Sequence, residues 1–126
     1  MNATTVTVST LQATIARAIA RFPRERARIE RAATLIALGH VSQMSPDAFE
    51  VKSQTDDATV YTIGASGCPC VDALRRPGQS CKHRWAVDIT LVAAKRQRRL
   101  DAREHLSAAE LARLAAWKRD HAGVAA

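Results

Sequence analysis

Aromatic side chains are scarce in this chain: two Trp, two Phe and one Tyr make up 4% of 126 residues. Any core must therefore come from aliphatic residues, and alanine dominates them. Alanine forms helices readily but buries little area per residue. Glycine and proline number five and four, too few for a low-complexity or linker-like chain. Cysteine occurs three times, an odd number that excludes a complete set of disulfides within one chain. No stretch approaches the roughly 18 continuous apolar residues of a membrane span. The opening MNATTVTVST lacks a basic segment followed by an apolar run, so no secretory signal is expected and the expected compartment is the reducing cytoplasm. In a reducing compartment clustered thiols serve as metal ligands or catalytic groups rather than bridges. Acidic residues are the minority, 12 against 19 basic, giving a net charge of +7.

What is present is organised in three segments: helical residues 1–40, a β-rich and cysteine-bearing segment 41–100, and a basic, amphipathic end 101–126. Ser9 and Gln12 form a capping-box pattern that predicts a helix over 10–22, with Leu11, Ile15, Ala18, Ile19 and Phe22 at helical spacing. Pro23 suits the first turn of a second helix over 24–38, carrying Ile29, Ala32, Ala33 and Ile36 on one face, and Gly39 is placed to stop it. The period then falls to two. Phe49 and Val51, then Tyr61 and Ile63, alternate with polar or exposed neighbours around a turn at Gln54–Ala58. This predicts an antiparallel hairpin with one buried face, led by a short strand near Val41–Met44. Gly64, Ser66 and Gly67 should end it. After His83, helical spacing returns through Trp85, Ala86, Ile89, Val92 and Ala93, with Val87 and Leu91 widening the stripe. Ser107 and Glu110 make a second capping box that opens a last helix with Leu111, Leu114 and Ala115 inward. The tail AGVAA is expected to fray. The expected fold class is α+β: a small antiparallel sheet, a hairpin or three strands, stapled to a helix and flanked by N- and C-terminal helices.

The staple is the segment CPCVDALRRPGQSCKH. It contains every cysteine, as CxC, a ten-residue loop and CxH. Cys68, Cys70, Cys81 and His83 are the soft and borderline donors that a closed tetrahedral zinc site takes. On a strand, residues i and i+2 point to one side, so Cys68 and Cys70 can face one ion, with Pro69 stiffening the pair. On a helix they diverge by about 200°, so Cys81 and His83 converge only if a helix begins there, with Cys81 at its entry and His83 in its first turn. A Cys3His zinc site carries one net negative charge, which a helix N-terminus and the flanking Lys82 and Arg84 favour. A CxC disulfide is strained, and a CxxC redox motif is absent. A Cys–His nucleophile would leave Cys68 and Cys70 without a purpose. Asp72 is the one further ligand candidate in the loop. Four protein ligands leave no open position, so catalysis at the metal is not expected, and no general base or nucleophile suggests an enzyme. His40, His105 and His121 are expected at the surface or at helix ends.

The order β-hairpin, CxC, loop, CxH, helix resembles the SWIM zinc finger. The resemblance runs from about Phe49 to Ala94 through FEVKS, TVYTIGASGCPC and CKHRWAV, with Tyr61, Asp72, Ala86 and Val87 in its usual texture. The preceding RIERAATLIALGHVSQM is similar to the lead-in helix of small bacterial SWIM proteins. The resemblance implies a ββα zinc module whose roles are DNA binding and protein–protein interaction, neither of which follows from the ligands themselves.

The basic excess gives a second, independent indication. Residues 1–46 hold six basic against two acidic side chains and 95–126 hold eight against four, whereas 47–66 hold one against four. Such asymmetry suits a polyanionic partner. Lys95, Arg98, Arg99 and Arg103 recur at three to four residues on one helix face, with Arg96 adjacent, and Arg75 and Arg76 lie in the loop between the ligand pairs. These residues suit phosphate contacts, which position a duplex without choosing its sequence. The expected partner is nucleic acid, with DNA preferred. The alternative is an adaptor that binds another protein through its Ala- and Leu-rich terminal helices. No membrane association is expected.

Overall fold

The computed structural model describes residues 5–54, 58–64 and 67–122. It is α+β: a three-stranded antiparallel sheet with five α-helices. Helix α1 spans Val8–Arg21 and is capped by Thr7, whose hydroxyl accepts from the Thr10 amide. It therefore starts ahead of the predicted Ser9 box. Thr7 also reaches Gln97, with both its amide and its hydroxyl 3.3 Å from Oε1, and that distant partner has no trace in local sequence. Pro23 opens a single 3-10 turn, Pro23–Glu25, and α2 follows over Arg26–Ala37. The helix ends as Gly39 predicts. Its φ of +73° lets the His40 amide bond the Leu35 carbonyl and its own amide bond that of Ile36, the paired closure of a helix that ends in the left-handed region.

Strands β1 (Val41–Ser45), β2 (Ala48–Lys52) and β3 (Val60–Ile63) lie in that order, all antiparallel. Phe49 pairs with Ile63 and Val51 with Tyr61, so the period of two places Phe49, Val51 and Ile63 together on the covered face. The predicted leading strand is present as the edge strand β1. Of the predicted turn, residues 55–57 lie outside the described residues, as do Ser66 and most of the AGVAA tail.

Helix α4, Lys82–Glu104, runs from the cysteine segment across the molecule. Its Ala86, Val87 and Ile89 meet Phe49, Val51 and Ile63 of the sheet and Ile29, Ala32 and Leu35 of α2 in one core cluster. Segments 1–40 and 41–100 thus build that core jointly. Leu11, Ile15, Ala18 and Ile19 of α1 pack on its edge. On α4, Leu91 and Val92 are exposed rather than in the core, because the contact stripe runs through Ala86, Ile89, Ala93 and the buried Gln97 instead; Phe22 at the end of α1 is exposed as well. Helix α5, Ala108–Asp120, opens on the Ser107–Glu110 capping box as predicted and has no buried residue. Leu111 and Leu114 are half-buried, but Ala115 is exposed. Among the described residues no helix is long and apolar enough to cross a membrane.

Candidate metal centre

Cys68 follows the sheet, separated from β3 by a bridge between Gly64 and Gly67. Cys70 ends the CPC turn and caps a short helix, α3 (Val71–Arg75), by accepting from the Ala73 amide at 3.4 Å. After the Pro77–Gly78 turn, Cys81 caps α4 and accepts from the Arg84 amide, also at 3.4 Å. The entry position read for Cys81 is therefore the one it occupies. A helix beginning at Cys70 was not legible, because five residues hold too little pattern to show a period and cysteine is not a usual N-cap residue. Its nearest signal is Asp72, an acid in the first turn.

These two caps and the turn between them bring all four donors together. The sulfurs of Cys68, Cys70 and Cys81 and a ring nitrogen of His83 lie within 4.8 Å of one another. His83 Nδ1 stands 3.7 Å from Cys68 Sγ and 3.9 Å from Cys81 Sγ. A tetrahedral ion with sulfur ligands at about 2.3 Å and nitrogen at about 2.0 Å would need donor separations of roughly 3.5–3.8 Å. The donor set and its spacing fit a metal ion. Nδ1 is turned to the sulfurs; Nε2 is buried, with no hydrogen-bond partner among the described residues. The imidazole packs against the Tyr61 ring, centroids 4.5 Å apart, which ties the site to β3. Cys70, Cys81 and His83 are buried and Cys68 is half-buried.

The thiols do not share their protons evenly. Cys81 is pushed down to about 3, first by the hydrogen bond that the Cys68 thiol gives it, with His83 and the Arg84 amide adding to it against the cost of burial. Cys68 is pushed up by the same bond, together with burial, and burial raises Cys70. Cys81 is thus the sulfur most ready to act as a thiolate ligand, and a metal must displace protons from the other two.

Asp72 is not a fifth ligand. Its carboxylate is held by the Arg28 guanidinium of α2 in two hydrogen bonds of 2.8 Å. Arg76 is engaged in the same cluster: Nη2 lies 2.8 Å from Glu25 and also donates to Gln79, and Nη1 lies 3.9 Å from Asp72. That leaves Arg75 as the exposed loop arginine. Farther along α4, Lys95, Arg98, Arg99 and Arg103 are exposed and Arg96 is half-buried. None of these five has an ion-pair partner among the described residues. From Cys81 to Lys95 the helix rises about 20 Å at 1.5 Å per residue, so Arg75 and the α4 stripe stand at opposite ends of it. His105 and His121 are the C-cap residues of α4 and α5. Trp85 is half-buried, edge-on to Phe22 at 5.3 Å.

No family model, curated protein or solved structure matches this chain.

Proposed function

We propose that the chain is a zinc-stapled DNA-binding module of the SWIM type, in which the metal is structural and the basic half of α4 contacts phosphates. Three thiolates and one imidazole with closed fourfold geometry favour Zn2+ over the oxygen-preferring cations. All four positions are taken by side chains, so the ion's work is to hold the CPC turn, α3 and the start of α4 against the sheet.

The observation that carries the nucleic-acid reading is that Lys95, Arg98, Arg99 and Arg103, on the exposed side of α4, have no ion-pair partner among the described residues. Some arginines elsewhere find acids, as Arg26 does with Glu30 and Arg84 with Asp88, and others, such as Arg17 and Arg21, do not; what sets the stripe apart is that its cations follow one another along one helix face. Asp101, within the stripe, accepts from Gln97 Nε2 at 2.9 Å. A row of unneutralised cations releases counterions when it meets a phosphate backbone, and affinity then falls steeply with salt. Arg75, at the end of α3, would touch the same duplex only if the duplex lies along α4.

The test is a salt series with random-sequence duplex and the full-length protein. Affinity should fall by at least tenfold between about 50 and 200 mM salt, and Arg98→Ala with Arg99→Ala should flatten that slope by about two. A salt-independent affinity, or a double variant that binds as the parent does, contradicts the reading and leaves the adaptor role of the terminal helices in its place.

A further inference from the structure

Helices α1 and α4 run antiparallel: Thr7 meets Gln97 at one end and Phe22 meets Trp85 at the other. Between them lies a groove of about 280 Å³. Each helix contributes a stripe at spacing i, i+3, i+4 and i+7, namely Thr14, Arg17, Ala18 and Arg21 from α1, and Trp85, Asp88, Ile89 and Val92 from α4. The floor and one end are apolar, and two large apolar side chains on them remain open to solvent, Phe22 at 43% and Val92 at 55%.

The rim is cationic. Arg17 and Arg21 stand one turn apart on the α1 side and have no ion-pair partner among the described residues. The one acid on the rim, Asp88, faces Arg84 at 3.5 Å and so brings no free negative charge to offset them. The volume falls just under the roughly 300 Å³ at which small-molecule sites begin. It suits a few apolar side chains laid in from outside, over two parallel ridges about two turns long.

We infer that this groove docks an amphipathic, acidic helix of a partner protein, which sets apolar residues on Ala18, Trp85 and Val92 and presents carboxylates to Arg17 and Arg21. The chain's own α5 is a poor occupant. Its exposed Trp117 is followed by Lys118 and Arg119, which would meet the two rim arginines with like charge. The groove ends at Val92, about 10 Å along α4 from Arg98 and Arg99, and neither arginine lines it, so those two can be removed without altering its walls.

The probe is a fluorescein-labelled peptide with leucines at i, i+3, i+4 and i+7 and glutamates elsewhere, titrated against the full-length metal-loaded protein by anisotropy. Its counterpart carries lysine in place of each glutamate. The glutamate peptide should bind at least about tenfold tighter than the lysine peptide, a difference that Arg17→Glu with Arg21→Glu should abolish or reverse. Val92→Glu, at an exposed floor position that leaves the core untouched, should weaken the glutamate peptide by a similar factor, whereas Arg98→Ala with Arg99→Ala should leave it unchanged. Equal binding of the two peptides overturns the inference. So does a Val92→Glu variant that binds as the parent does, an equal loss in the Arg98/Arg99 variant, or no binding at about 1 mM peptide.

Discussion

Arg28 and Asp72 meet in a bidentate pair across 44 residues of sequence, Nε on Oδ2 and Nη2 on Oδ1, both at 2.8 Å. Arg28 belongs to α2 and Asp72 to α3, the short helix that Cys70 caps. Glu25 joins them from the 3-10 turn, 3.7 Å from Arg28 and 2.8 Å from Arg76. The N-terminal helices are thereby clamped to the loop that separates the two ligand pairs. A bidentate guanidinium–carboxylate contact fixes direction as well as distance, and here it fixes how Cys70 is presented.

Arg28→Lys keeps the charge but loses the fork. Both side chains are partly open to solvent, 27% and 38% exposed, so the stability cost should be small, about 1 kcal/mol or less. The larger expected effect is kinetic: a chelator should strip the metal from Arg28→Lys several-fold faster than from the parent. Timed release to a colorimetric chelator measures it.

The same pair sets a pH dependence. The hydrogen bond from Arg28, helped by the nearby charges of Arg28, Arg76 and Arg31, holds the Asp72 carboxyl below its ordinary value against the opposing effect of burial. A depressed carboxyl contributes stability above its unfolded value of about 3.9, and that contribution is lost as pH falls through the lower folded value. Asp72→Asn should therefore melt below the parent by a constant margin from pH 7 to about 5, and the margin should close under more acidic conditions. Paired thermal melts across that range check it.

Thr7 caps α1 and bonds Gln97, whereas Ser9 lies inside the helix and is exposed. Thr7→Ala should cost about 1 kcal/mol and Ser9→Ala much less. Chemical denaturation midpoints of the two variants separate the real start of the helix from the one its sequence suggests.

Leu35 is fully buried among Phe49, Val51 and the first turns of α4. Leu35→Ala should cost about 2–5 kcal/mol through lost burial and the cavity left behind. Because this core joins α2 to the sheet and α4, the transition should remain single. A denaturation curve in which the sheet and the helices separate would contradict the joint core.

The features legible in the sequence are those written at short range. Alternation of Phe49 with Val51 and of Tyr61 with Ile63 gave the hairpin, Gly39 gave the end of α2, and the CxC and CxH spacings gave the four donors that cluster, together with the helix start at Cys81. What escaped is long-range or lacks a local sign. Asp72 could be weighed as a ligand because nothing nearby in sequence announces Arg28. Arg76 looked free for phosphate because Glu25 is 51 residues away. Val92 shares helical spacing with the buried stripe of α4, yet no element among the described residues covers it, and Ala115 is exposed in the same way.

The most direct test is native mass spectrometry of the full-length protein, read beside its circular dichroism, for the parent and for Cys70→Ser. One zinc ion per chain is expected in the parent, released as acid protonates the thiolates. In Cys70→Ser the ion should be missing and the sheet signal lost, because a structural zinc supplies on the order of 10 kcal/mol of folding free energy. A parent chain that carries no metal and is fully folded, or a Cys70→Ser variant that keeps its fold without the ion, would contradict a metal-stapled protein.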